Sequence, residues 1–270
     1  MTRSQRWRDQ RDSYRQRGEA FDPGQYGAEV IDADGPARDF VIQHHYSGSY
    51  PAARFRVGLY RRRAWFTPEL VGVAVFSVGV QRSAVQSWAT DCGPDDGVDL
   101  GRFVLLDDVP FNGETWFLRR AFSAMSAGLR GVRVVLSYSD PMARSTEDGQ
   151  VVTPGHVGAI YQAKGARYVG MTGPRWQHLD ARGRTVADRG LSKIRNGERG
   201  WEAAAHGLVA RGAPGRLLHE PPGSWLERAL RDGPFRRVRH PGQHVYLFAP
   251  DGTSNSLPTE RPARPYPKRG

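Results

Sequence analysis

The sequence predicts an α/β (α+β) fold: a mixed sheet flanked by helices, with a basic N-terminal arm and a C-terminal extension. Three observations carry this reading. Residues 70–80 (LVGVAVFSVGV) form a β-branched, nearly continuous apolar run, as expected of a strand covered on both faces. Residues 114–130 (ETWFLRRAFSAMSAGLR) place Trp116, Phe117, Ala121, Phe122, Met125 and Leu129 at helical spacing. Residues 132–138 (VRVVLSY) then return to a buried strand, and this strand–helix–strand order predicts parallel neighbours in the sheet.

The remaining elements follow in chain order. Residues 1–19 are charged all round, with Trp7 and Tyr14 as the large apolar groups, and read either as a basic helix that orders on a polyanion or as a solvated tail. Residues 39–43 (DFVIQ) read as a short strand before His44, His45 and Tyr46, and residues 54–60 (RFRVGLY) as an alternating strand. Residues 100–108 form a strand, and Val109-Pro110-Phe111-Asn112-Gly113 turns into the long helix. Ser139-Asp140-Pro141 ends the strand after that helix. Residues 155–165 suit a short helix and 166–170 a strand. Helices are expected over 201–210 and 223–231, and a hairpin over 235–248 around Pro241-Gly242. The composition of 251–270 predicts disorder. The expected organisation is an arm over 1–30, one catalytic domain over 31–250 and a tail over 251–270.

Composition narrows the function. The net charge is +11, and of 39 cationic side chains only Lys164, Lys193 and Lys268 are lysine. Arginine binds phosphate with a planar fork and stacks on bases, so the balance points to a nucleic-acid partner; a GC-rich coding sequence would also favour arginine. The single cysteine, Cys92, excludes an internal disulfide and a cysteine-based zinc cluster. No apolar run is long enough to span a membrane, and the polar N-terminus has no apolar segment behind it, so a cytoplasmic location is expected.

Residues 156–168 (HVGAIYQAKGARY) hold a Tyr after small residues, then a Gly that ends the helix before a strand. This resembles the last helix of GNAT acyltransferases, which implies that the Tyr161 hydroxyl lies beside the sulfur of acetyl-CoA and protonates the leaving thiolate. The glycine-rich loop by which those enzymes hold the CoA pyrophosphate is replaced here by Pro110-Phe111-Asn112-Gly113-Glu114-Thr115. Asn112 is expected to cap the helix, Gly113 to allow close backbone approach, and Glu114 to lie beside them.

Several segments together resemble the Mom family of DNA-modification proteins. They are His45-Tyr46-Ser47, Leu100-Gly101-Arg102-Phe103, Asn112 with Trp116-Phe117-Leu118, Tyr138-Ser139-Asp140-Pro141, and Gly155-His156-Val157-Gly158 with Ile160-Tyr161-Gln162-Ala163, then Gly165 and Tyr168. The resemblance implies an enzyme that converts adenine in double-stranded DNA to an N6-acetamido derivative and so protects phage DNA from restriction. It also implies acetyl-CoA and a link to iron. Carried over, the candidates are His45 as base or metal ligand, Tyr46 as ligand or stacking surface, and Arg102 as holder of a phosphate or acyl carbonyl. Ser139 would position substrate, Asp140 would accept a proton or bind metal, and Tyr161 would act as the acid.

A base in duplex DNA must be flipped out to enter a pocket, which calls for phosphate clamps and stacking aromatics. Arg61, Arg62 and Arg63 with Trp65 and Phe66, and Arg236, Arg237, Arg239 and His240, are the candidates. Arg119 and Arg120 are further phosphate candidates. Two other readings stay open: a GNAT acetyltransferase acting on a small amine or protein, and a non-catalytic DNA-binding protein on the same scaffold. A homodimer is also compatible.

Overall fold

A computed structural model describes residues 21–79, 83–110, 112–254 and 256–268. Residues 1–20 of the expected arm over 1–30, with Trp7 and Tyr14, lie outside the described residues, as does Phe111.

After a 3-10 turn (Pro23–Gln25), whose first amides are capped by the Asp22 side chain, the chain forms β1 (Tyr26–Val30), α1 (Asp34–His44), β2 (Ala53–Arg61), β3 (Glu69–Ser77) and α2 (Ala84–Trp88). It continues through β4 (Gly97–Leu105), α3 (Gly113–Gly128), β5 (Val134–Ser139), β6 (Arg144–Ser145), β7 (Val151–Thr153), α4 (Ala159–Ala163), β8 (Arg167–Met171) and β9 (Arg175–Leu179). Helices α5 (Asp188–Asn196), α6 (Trp201–Val209) and α7 (Pro222–Asp232) and strands β10 (Arg236–His240) and β11 (His244–Phe248) complete it.

The chain divides into two compact units. The first comprises residues up to 141, 153–172 and from 242 onward; the second comprises 142–152 and 173–241.

The first unit is built on a seven-stranded mixed sheet in the order β1-β2-β3-β4-β5-β11-β8. Its two faces are covered differently. Phe117, Leu118, Ala121, Phe122 and Met125 of α3 are fully buried against Val57, Leu59, Ala74 and Phe76. Burying each large apolar side chain is worth roughly 1.5–3 kcal/mol, so this face holds much of the unit's stability. On the opposite face Ala37, Phe40 and Val41 of α1 pack on Val73, Val75 and Val104. Val85 and Ala89 of the α2 segment pack there with Val134, Leu136, Val245 and Leu247.

The mixed sheet flanked by helices is the architecture the sequence predicts, with three corrections. Residues 39–43 are helical, because Ala37, Phe40 and Val41 face the sheet at helical spacing and Ile42 points outward, a period that a five-residue window hides. In the seven-stranded sheet parallel pairing is confined to β4 with β5; its other ladders, and β9 with β10, are antiparallel. Pro241-Gly242 is not a hairpin turn. β10 pairs with β9, whereas β11 inserts between β5 and β8. Gly242 has φ +112, and a Cβ there would lie 2.1 Å from the Thr172 carbonyl oxygen, so the chain passes close over the end of β8.

Residues 256–268, which composition alone marks as disordered, make specific contacts. Thr259 Oγ1 donates to the Trp88 carbonyl at 2.8 Å, Arg264 N–H to Tyr168 at 2.9 Å, and the Tyr266 hydroxyl to Ala166 at 2.7 Å.

In the second unit, α5, α6 and α7 bury Leu191, Ile194, Leu208, Trp225, Leu226 and Ala229 around one core, with β9–β10 and β6–β7 as two small ribbons. Arg184 and Arg211 surround the buried Asp180 carboxylate, at 2.9 and 3.8 Å. No described helix is long and apolar enough to cross a membrane.

Candidate active site

Strands β4 and β5 run side by side but pair over only three residues, ending at Asp99 with Leu136. Both continue, to Leu105 and Ser139, without pairing to each other, so the sheet opens between them. A register shift opposite Val75 and Phe76 pairs Arg102 and Leu100 with β3 and leaves Gly101 over, a bulge that re-aims Arg102. The facing strand edges carry main-chain groups that an extended ligand can pair with.

On the α1 side, His45 caps the helix C-terminus through its N–H to the Val41 carbonyl, and its ring is buried. The Ser47 N–H donates to His45 Nδ1 at 3.1 Å, and Ser47 Oγ lies 2.9 Å from the same atom. A backbone amide only donates, so Nδ1 is the acceptor and the neutral ring carries its proton on Nε2. Tyr46 stacks on His45, with centroids 4.4 Å apart, and meets His156 edge-on at 6.2 Å. The His156 N–H donates to the Asp140 carbonyl at 2.7 Å. Asp140 itself is buried just past the C-terminal end of β5, where a strand with a parallel neighbour gathers ligands.

Arg102 is held by Ser49, from Nε to the carbonyl at 2.9 Å and from Nη2 to Oγ at 2.8 Å. Burial lowers its pKa, while Tyr46 and Tyr161 act in the opposite direction, so the guanidinium lies within electrostatic reach of both phenols. The structure thus groups His45, Tyr46, Arg102 and Asp140, joined by His156, which belongs to the motif at 155–158 but was not among the candidate site residues.

On the α3 side the organising residue is Gly158, the left-handed N-cap of α4 with φ +72. A Cβ there would lie 2.7 Å from the Tyr246 ring, 2.9 Å from Tyr161 and 3.1 Å from Ser139 Oγ. Tyr161 and Tyr246 have ring centroids 5.4 Å apart. The Tyr246 hydroxyl donates to the Val157 carbonyl and accepts from Gln162 Nε2 at 3.1 Å; burial pushes its pKa up to about 12. The Ser139 hydroxyl lies close enough to that of Tyr246 to lower its pKa as a loose hydrogen-bond neighbour, yet, like Ser137 Oγ, it is buried with no partner at good hydrogen-bonding geometry. Two unsatisfied hydroxyls on the strand that borders the opening are what a polar ligand there would satisfy.

Asp99 is the residue the motifs missed. It sits at the last β4–β5 pair, at the apex of the opening, between Val98 and Leu100, whose side chains belong to the α3-side core. Alternation therefore puts it on the α1 side. Its Oδ1 is buried without a partner, and burial pushes the carboxyl up to about 7. Tyr138 beside it is raised by burial, with Asp99 adding to the rise. A lone Asp inside an apolar run was the signal available in the sequence.

The residues expected to hold the CoA pyrophosphate behave differently. Asn112 occupies the N-cap of α3, but with φ +71 and no side-chain capping bond. Gly113 does allow close approach, but of core side chains: a Cβ would lie 2.5 Å from Val109 and 3.3 Å from Phe21. Glu114 is buried in the first turn, where a carboxylate opposes an incoming phosphate. The opening, with Arg102 and the unsatisfied serines, fits an acyl thioester better than this helix end fits a pyrophosphate.

An iron centre is not supported. Among the described residues no group of three His, Cys, Asp or Glu could hold a metal, and Nδ1 of His45 is taken by Ser47.

The Mom protein family model matches residues 29–214. No curated protein matches the chain. Among solved structures, a tandem GNAT protein from the clavulanic acid biosynthesis pathway, determined without acetyl-CoA, is similar at 9% identity and a TM-score of 0.39, over 83% of this chain and 98% of its own. The family match spans more than half of the sequence and includes α1, the β4–β5 opening and α4. The chain belongs to the Mom protein family.

Proposed function

We propose that this protein is a transferase that modifies the exocyclic N6 of adenine in double-stranded DNA, with acetyl-CoA as the source of the two-carbon unit; acyl transfer alone gives the N6-acetyl base, and an N6-acetamido product requires in addition an ammonia-level nitrogen donor and a two-electron oxidant as co-reactants. Membership of the Mom family is the observation that carries the reading. Acetyl-CoA, when bound, supplies an activated acyl group. Arg102, held rigid by Ser49, would orient its carbonyl, and the Ser137 and Ser139 hydroxyls would bind polar atoms between the strands. Tyr161 holds a proton at its hydroxyl at neutral pH and so suits a leaving thiolate. Tyr46, stacked on His45, offers a surface for a flipped base, and Asp140 would accept a proton from N6.

The test is to produce the protein in bacteria, hydrolyse the cellular DNA and analyse the nucleosides by mass spectrometry. A deoxyadenosine adduct is expected. Tyr161→Phe and Asp140→Ala are each expected to lower it about 100-fold, the range of a lost general acid or base, with DNA affinity unchanged. Only ordinary nucleosides from cells containing folded protein would overturn the reading.

A second reading is favoured by the altered α3 N-terminus: a DNA-binding protein that retains the scaffold without the chemistry. It predicts salt-dependent DNA binding and no adduct.

A further inference from the structure

The second unit holds much of the chain's positive charge. Over its residues 142–152 and 173–241, 15 Arg and Lys stand against 9 Asp and Glu, a net of +6 of the total +11. Most of these arginines are already engaged. Arg184 and Arg211 surround Asp180, Arg189 meets Glu198 at 2.5 Å, Arg228 meets Glu220 at 2.7 Å and Arg231 meets Asp232 at 2.8 Å.

The β9–β10 ribbon differs. Its register pairs Trp176 with Arg239 and His178 with Arg237, and these four share one face. The other face carries the buried Gln177, Leu179 and His240. The sequences of the two strands, RWQHL and RRVRH, contain no carboxylate. Arg237 lies over the Trp176 ring at 4.3 Å and Arg239 at 5.5 Å, while the indole stays 48% exposed. His178 lies in the field of Arg237 and of Arg195 from α5, with Asp188 as the opposing acid.

This arrangement corrects the clamp read from sequence. His240 is buried, and Arg236 gives its guanidinium to the Ser145 carbonyl, so Arg237 and Arg239 are the pair left facing outward. The other candidate, Arg61-Arg62-Arg63, is less suited: each of these faces a carboxylate, Asp108, Glu29 or Glu69.

We propose that the outer face of the β9–β10 ribbon, built on Trp176, His178, Arg237 and Arg239, binds the phosphate backbone of double-stranded DNA. This rests on the reading of DNA as substrate and adds the surface that holds it. A guanidinium held over an indole gives up part of its rotational freedom before binding, and both arginines are exposed and so open to two-pronged phosphate contact. Contacts of this kind position the duplex without reading its sequence.

The experiment is fluorescence anisotropy of a labelled duplex titrated with the full chain at several salt concentrations. Each phosphate contact adds about 0.9 to the slope of log K against log salt. The double variant Arg237→Ala/Arg239→Ala is therefore expected to lose about 2 from that slope, and Trp176→Ala to weaken binding with the slope nearly kept. Arg237→Lys/Arg239→Lys should retain the slope, which separates lost charge from lost folding. Arg231→Ala, which removes one charge at an ion-paired site, should match wild type. An unchanged slope in the alanine pair, or wild-type preference for single strands or RNA over duplex, overturns the proposal. A deoxyadenosine adduct that persists alongside an unchanged slope would leave the enzymatic reading standing and sink the ribbon alone.

Discussion

Gly158→Val is expected to abolish DNA modification and to lower the melting temperature by roughly 5–15 °C. Two penalties combine. A non-glycine residue at φ +72 costs about 1–2 kcal/mol, and forcing extra methyl groups into a packed site about 1–3 kcal/mol. For a unit of this size each kcal/mol is worth about 2–4 °C. The neighbours have little room to yield. Tyr246 is tied at its hydroxyl to Val157 and Gln162, and Ser139 is fully buried. Gly158→Ala should show the same direction at smaller size, because its Cβ already falls 2.7 Å from the Tyr246 ring. Thermal unfolding and nucleoside analysis of the two variants check this; an alanine variant with wild-type melting and full modification would show that α4 is not seated as described.

The second expectation concerns Asp99. Burial raises its carboxyl from an ordinary 3.8 to about 7. Below about pH 4 the folded and unfolded chains both carry the proton, so the group has no effect. Between about 4 and 7 the unfolded chain releases the proton and the folded one keeps it, so stability falls as pH rises, and the loss is complete above 7. A displacement of about three pH units corresponds to about 4 kcal/mol. Asp99→Asn, neutral and nearly the same shape, should therefore unfold at higher urea than wild type at pH 8, with the gap closing as pH falls toward 4. A gap of equal size at pH 5 and pH 8 would show that the carboxyl is not held neutral by burial. Within the proposed activity the same property has a use: near neutral pH, a carboxyl at the apex of the opening can both take and return a proton.

Long periodic segments were legible in the sequence. β3, α3, β5 and β8 declare themselves through residues such as Val73, Phe122 and Val135 that repeat at one period over enough length. α1 was not, because its apolar positions are few and its middle, DFVIQ, imitates a strand. The β10–β11 segment alternates as a hairpin should, and local alternation cannot say which strand is the partner. Of the candidate site, short motifs named His45-Tyr46 and Asp140, which the structure links through His156. The site was illegible where only three-dimensional neighbours create the property. Asp99 is ordinary until burial neutralises it, Gly158 looks like a helix boundary until three side chains surround it, and Trp176 becomes meaningful only with Arg237 and Arg239 beside it.

The sheet order also governs when the first unit can fold. β11 is the last of the seven strands in chain order, yet it lies inside the sheet between β5 and β8. Its partner β5 was made about a hundred residues earlier, a contact of long sequence separation that is slow to form. Until residues 244–248 emerge, β5 and β8 each present an unpaired inner edge, the kind of surface that invites association between nascent chains. Truncation before His244 would therefore remove an interior strand of that sheet rather than trim an edge.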